Sequence, residues 1–235
     1  MAKGAPVLAE RVLGWGAVDV LERVHGQCGE LVLRTDGVHF EMIANGVFLM
    51  DTRDGRSERL LVSAAADRMP DGGHVLIGGL GVGFSLAEAV AHPRTTEVTV
   101  VEREPAVIDW ARGPLAPFNH GALRDGRVHC VQANLVAYLR TTEQRFDAIC
   151  LDVDNGPPWT VTEGNRELYG DAGLAVMANR LTERGVLAIW SSAPVPPFAA
   201  RLATRFDEVE VLSVPVPRGE PDTVLVARQQ YARTV

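Results

Sequence analysis

Lysine is nearly absent from this chain: among 23 basic residues only Lys3 is a lysine, the rest being arginine. Acidic residues outnumber basic ones to a net charge of −7, which excludes a global electrostatic pull toward nucleic acid or an anionic membrane surface. No apolar run reaches the roughly 18 residues of a membrane span, and the N-terminus lacks the apolar segment of a secretory leader. The three cysteines, Cys28, Cys130 and Cys150, form no CxxC and read as reduced core residues of a cytoplasmic protein. Six histidines are scattered without metal-ligand spacing, so no metal is expected. Internal repeats and low-complexity tracts are missing too. What remains is an enzyme-sized chain: 235 residues at 46% hydrophobic can bury a core, as one α/β domain with a small extra unit or as two small domains.

The chain reads in two parts, 1–70 and 71–235. From about residue 16 to residue 52, strand-like runs alternate with turn signals, and Asp36-Gly37 and Asn45-Gly46 are strong hairpin turns because both pairs tolerate positive φ. This predicts a small antiparallel β unit. "RSERLLVSAAADRM" has helical spacing, with Leu60, Leu61 and Ala64 on one face, and "PDGG" at 70–73 marks the boundary. Beyond it, "HVLIGG", "EVTVVE", "RVHCVQA", "FDAICLDV" and "GVLAIWSS" alternate with helical segments, one of them across "RELYGDAGLAVMANRL". "VEVLSVPV" and "DTVLVARQ", joined by "PRGEP", close the chain as a hairpin. Continuous apolar strands between helices imply a mostly parallel sheet covered on both faces. The fold class is therefore α/β: a doubly wound, seven-stranded, Rossmann-like sheet whose ligand sits at the carboxyl ends of its strands.

Two features mark that end. Gly79, Gly81 and Gly83 form a GxGxG between a strand and a helix, where the backbone must approach a ligand without a Cβ in the way. Roughly twenty residues later the next strand ends in Glu102, placed to accept hydrogen bonds from both hydroxyls of a ribose. Phe84 stands where a dinucleotide fingerprint wants its third glycine, and no Walker-A Lys-Ser/Thr follows, so a dinucleotide and a nucleoside triphosphate are both disfavoured. The second feature is "LDVDNGPPW", residues 151–159, where an apolar strand ends in two acids, an amide and a rigid turn. One acid could cap a following turn, but Asp152 and Asp154 beside Asn155 and a rigid loop carrying Trp159 suggest a reaction site. Tyr169, on the next helix, reads as core.

The compact GxGxG, the acid ending the second strand and Asn134 after the third resemble class I S-adenosylmethionine-dependent transferases. With "ANGVFLMDTRDGRSERLL", "VTVVEREPAVIDWA" and "FDAICLDVDNGPPW" in this order, the chain resembles the spermidine synthase (polyamine aminopropyltransferase) family over about residues 16–230. The resemblance implies S-adenosylmethionine, or its decarboxylated form, as the group donor and a homodimer as the assembly. It implies a nucleoside wall of Gly79, Leu80, Gly81, Gly83, Glu102, Arg103, Ala133, Asn134 and Asp152, with Asn134 on the adenine side. Asp152 matches the first acid of the family's catalytic loop, which implies the proton-handling group, with Glu58, Asp154, Asn155 and Trp159 on the acceptor side, the last on a gating loop. The same asparagine also suits the N-cap of the following helix.

Departures from the family pattern matter as much. The glycine-loop acid that pairs with the donor's ammonium is replaced by Val82, and the second acid of the catalytic loop falls at Asn155, with Asp154 adjacent. A Tyr-Gln pair falls at Glu58-Arg59, and an acceptor-binding Tyr at Val216. A buried ammonium without an acid is costly, whereas Arg59, if it enters the cleft, could grip a carboxylate. These changes favour intact S-adenosylmethionine, or an acceptor bearing a carboxylate, over putrescine. Three readings stay open: a spermidine-synthase-like transferase moving a methyl or aminopropyl-type group to a small nucleophile, a true polyamine aminopropyltransferase, and a non-catalytic nucleoside-binding protein. The acceptor is expected to be an amine or a carboxylate-bearing molecule, with no nucleic acid or membrane partner.

Overall fold

A computed structural model describes residues 18–157, 159–160 and 163–229; Lys3, the stretch in which a secretory leader was not expected, and Pro158 of the loop read as gating lie outside them. Four strands, β1 (Asp19–Gly26), β2 (Gly29–Thr35), β3 (Phe40–Ala44) and β4 (Val47–Asp51), form an antiparallel sheet in the order of the chain. Both expected hairpins are present. Asn45 and Gly46 take φ of 50° and 79°, and the Asn45 side chain accepts from the Glu30 N–H and donates to the Cys28 carbonyl. Leu31 and Leu33 on β2 face Ala44 and Met42 on β3 and are buried.

The helix α1 (Arg56–Ala66) follows, then β5 (Gly73–Gly78), α2 (Phe84–Ala91), β6 (Thr95–Glu102), α3 (Pro105–Arg112), β7 (Val128–Gln132), α4 (Leu135–Thr141) and β8 (Phe146–Leu151). α5 (Asp171–Arg180), β9 (Leu181–Ser191), α6 (Pro196–Leu202), β10 (Glu208–Val214) and β11 (Asp222–Arg228) complete the chain. The large sheet has seven strands in the order β10-β11-β9-β8-β5-β6-β7, parallel except for β11, which runs against both neighbours. Its central strands are apolar throughout because helices cover both faces: Val75 to Ile77, Ala148 to Leu151 and Val186 to Ile189 are buried. α1 packs on α2 and on β8, β9 and β11. Its buried Leu61, Val62 and Ala65 join Leu31, Leu33 and Met42 of the small sheet in one continuous core. By packing, α1 therefore goes with the large sheet rather than with the strands before it.

Two expectations need correction. The helix over 166–181 is a 3₁₀ segment (Glu163–Tyr169) broken at Gly170 from α5. Of the three free cysteines only Cys150 is buried; Cys130 is half-buried and Cys28 is exposed, because it sits in the β1–β2 turn rather than in a strand. Among the described residues no helix is long and apolar enough to cross a membrane.

Candidate active site

The carboxyl ends of β5, β6, β7, β8 and β9 open into a cavity of about 690 Å³, roofed by the apolar side of the small sheet through Leu31, Met42, Ala44, Phe48 and Met50. Gly79 leaves β5 with φ +90°, and a Cβ there would run into the backbone carbonyl of Asp152. Gly81, at φ +51°, lies against the Met50 thioether, whose sulfur accepts from the Val82 N–H at 3.3 Å. The loop is thus threaded between the β8 exit and the β4 strand, a passage only glycine backbone fits.

Glu102 ends β6 with its carboxylate held by the N–H groups of Leu80 and Glu104, both at 2.9 Å. Burial raises its pKa, and those two N–H groups partly offset the shift. Asn134 lines the cavity beside Ala133 and also caps α4, its Oδ1 accepting from the Ala137 N–H at 3.0 Å. The cap uses one lone pair of that oxygen and leaves the amide N–H₂ unspent.

The opposite end is acidic. Asp152 donates its N–H to the Gly78 carbonyl at 2.8 Å and accepts from the Ser85 hydroxyl at 2.6 Å. Burial pushes its carboxyl from 3.8 up to about 6. Glu58, on the first turn of α1 and only 8% exposed, is driven further, to about 8, by burial and then by the Asp152 charge. Asp222, the first residue of β11, accepts from the Ser57 hydroxyl at 2.7 Å, and the same hydroxyl stands 3.0 Å from Glu58 Oε2. One hydroxyl has one proton. Ser57 donating to Asp222 while a protonated Glu58 donates to Ser57 satisfies all three groups, in agreement with the raised Glu58 value. Trp190 also lines this end; its indole N–H bears on the Asp222 carboxylate without closing a well-formed hydrogen bond.

No ion pair involves Glu58, Asp152 or Asp222 among the described residues. Arg56, whose charge acts on Asp222, spends its guanidinium on Asp54 and the Pro215 carbonyl. Nor do the described acids form a metal-ligand set.

The structure gathers most of the expected residues here: Gly79, Gly81, Glu102, Arg103, Ala133, Asn134, Asp152, Glu58, Asp154, Asn155, Trp159 and Val216 all line the cavity. Asp154, at φ +52°, accepts from Asn165 at 2.8 Å, and the buried Asn155 takes the N–H and hydroxyl of Ser192 on its carbonyl. Trp159 is 57% exposed at the mouth. Tyr169 is buried against Phe198, its hydroxyl toward the Val153 carbonyl. Leu80 contributes through its backbone, Gly83 packs against Asn119, and Val82 is buried; these three stay off the wall. Arg59 is off it too. Its guanidinium lies over the Phe84 ring, 4.5 Å from the centroid, so the carboxylate grip expected of it is absent here. Sequence reasoning missed Asp222, Ser57, Ser85 and Trp190. An acid opening an otherwise apolar final strand was the available signal for Asp222.

The profile of the Spermine/spermidine synthase domain family matches residues 56–195. The chain belongs to this family. It is 29% identical over 175 residues to the polyamine aminopropyltransferase of Mycobacterium tuberculosis, covering 72% of this chain and 32% of the relative. With the polyamine aminopropyltransferase 1 of Streptomyces coelicolor it shares 40% over 81 residues, 34% of this chain and 15% of the relative. The chain thus spans about one third or less of the length of these family members. A spermidine synthase structure in complex with the transition state analogue AdoDATO superposes with a TM-score of 0.78 at 21% identity, over 90% of this chain and 74% of that one. The spermidine synthase of Thermotoga maritima gives 0.74 at 19% identity, over 90% and 73%. These likenesses establish the fold: a seven-stranded, mostly parallel α/β sheet with a small antiparallel sheet before it.

Proposed function

We propose that the protein transfers an aminopropyl-type group from a sulfonium nucleoside, decarboxylated S-adenosylmethionine, to an amine. One observation carries this reading: a single cavity has a glycine cradle and the acid Glu102 at one end, and at the other the carboxyl groups of Glu58, Asp152 and Asp222, for which no ion pair is found among the described residues. Uncompensated acids assembled in a half-buried pocket are costly unless a cationic ligand completes them. Asp222, and Glu58 once an ammonium beside it draws off its proton, would supply anionic partners where the glycine loop offers Val82. Arg59, the group that favoured a carboxylate-bearing ligand, lies outside the cavity.

In the reaction the amine nitrogen attacks the carbon bonded to the sulfonium. A C–N bond forms, the C–S bond breaks, the sulfur leaves as a neutral thioether, and the nitrogen's proton passes to Asp152. The leaving group is already good, so alignment of the two reactants supplies most of the acceleration, and Asp152 is suited to receive the proton because its carboxyl sits at about 6. Thermal-shift titration with S-adenosylmethionine, its decarboxylated form and methylthioadenosine tests the assignment. The decarboxylated donor and methylthioadenosine are expected to stabilise the protein. Stabilisation by intact S-adenosylmethionine alone refutes aminopropyl transfer in favour of methyl transfer, and no shift with any of the three points to a protein that binds no such nucleoside.

A further inference from the structure

Glu104 occupies the N-cap position of α3, yet its carboxylate makes no capping bond to that helix. It reaches instead to the turn between β1 and β2, accepting the Gln27 N–H on Oε2 at 2.8 Å and the Cys28 N–H on Oε1 at 3.1 Å. Gln27 adds a bond from its side chain to the Arg103 carbonyl at 3.2 Å, and Arg103 Nε lies 3.8 Å from Glu104 Oε1. The carboxylate is buried, at 7% exposure, and a Cβ on Gly26 would overlap its Oε2. The backbone N–H of the same residue donates to Glu102 Oε1. One residue thus holds the acid at the end of β6 with its backbone and the N-terminal sheet with its side chain. Elsewhere β1 is largely exposed, with Glu22 accepting from the Trp110 indole as a second tie to α3.

We propose that Glu104 is a positioning residue that couples the seating of the N-terminal sheet to the ribose-facing acid Glu102. Nucleoside affinity and recognition of the ribose hydroxyls then depend on a turn 76 and 77 positions earlier in the chain. The inference rests on the reading of Glu102 as the ribose acid.

Two variants test it. Glu104→Gln places an amide N–H₂ against the turn's N–H groups. Gly26→Ala puts a Cβ into the space of Glu104 Oε2 and so forces the turn and the carboxylate apart without removing either acid, and Gly26 does not occupy the left-handed region, so alanine fits its backbone. Methylthioadenosine and its 2′-deoxy counterpart are titrated calorimetrically into wild type and both variants, and amide exchange is followed at Gln27 and Cys28. The expected result is faster exchange at the turn, roughly tenfold weaker methylthioadenosine binding, and a smaller preference for the ribo over the deoxy nucleoside in both variants. A purely structural latch would speed exchange and leave the ribo/deoxy preference intact, which overturns the coupling. Unchanged exchange at the turn overturns the latch itself. If wild type binds neither nucleoside, the ribose assignment falls and takes the coupling with it, whereas loss confined to the variants leaves that assignment standing.

Discussion

Glu58→Gln removes a carboxyl that the fold holds protonated, and its effect on stability can be worked through. The ordinary value of 4.5 is raised to about 8 by burial and by the Asp152 charge. The unfolded chain loses that proton near the lower value and the folded protein near the higher one. Between them the folded state binds more protons, so stability falls as pH rises; the cost is absent below about pH 4.5 and complete above about pH 8. At about 1.4 kcal/mol per pKa unit it reaches about 3 kcal/mol by pH 7 and about 5 kcal/mol beyond pH 8. Glutamine has nearly the same shape, can donate an amide N–H to Ser57 in place of the protonated carboxyl, and cannot ionise. The variant should therefore melt higher than wild type, by a small margin at about pH 5 and by roughly 6–12 °C at pH 7, given about 2–4 °C per kcal/mol for a chain of this size. Circular-dichroism melts of both proteins, without ligand, across this pH range provide the assay. Parallel curves would refute the reasoning, since they mean that water solvates Glu58 and that the acidic end is not poised for a cation.

The remaining predictions follow from the same cavity. Asp152→Asn should leave methylthioadenosine affinity near wild type and lower kcat roughly 10²–10⁴-fold; a kcat within twofold of wild type in a transfer assay would remove the base assignment. Asp222→Asn should raise the KM for the amine roughly tenfold, with a much smaller change in nucleoside affinity. An unchanged amine KM would place the ammonium elsewhere. Arg59→Ala should not alter the affinity for either nucleoside, and should cost only the stacking on Phe84, about 0.5–2 kcal/mol by denaturant unfolding. Loss of nucleoside binding in that variant would restore Arg59 to the cleft.

Much of this arrangement was legible in the residue order, and what was not has definite causes. The alternation of apolar strands with helices announces the doubly wound sheet, because strands buried on both faces have no polar period to confuse the reading. Asn45-Gly46 and Asp36-Gly37 announce the small sheet through their positive-φ tolerance. GxGxG and Glu102 can be read because they are local, each fixed by a strand end. Asp222 and Ser57 are not local: 165 positions separate them, and only the return of β11 beside β9 brings β11 against α1. Arg59 was misjudged for a related reason. Its position on α1 allows either direction, and Phe84 from α2 decides which surface it covers. The break at Gly170 was masked by apolar residues with helical spacing on both sides of it.

Mass spectrometry of a single incubation tests the central claim most directly. The protein is mixed with decarboxylated S-adenosylmethionine and a set of primary mono- and diamines, and both the nucleoside and amine products are followed. The account predicts amine-dependent release of methylthioadenosine, with one equivalent of an amine lengthened by an aminopropyl group for each nucleoside released. No methylthioadenosine release from the decarboxylated donor, or consumption of intact S-adenosylmethionine with release of S-adenosylhomocysteine in a parallel incubation, would contradict it.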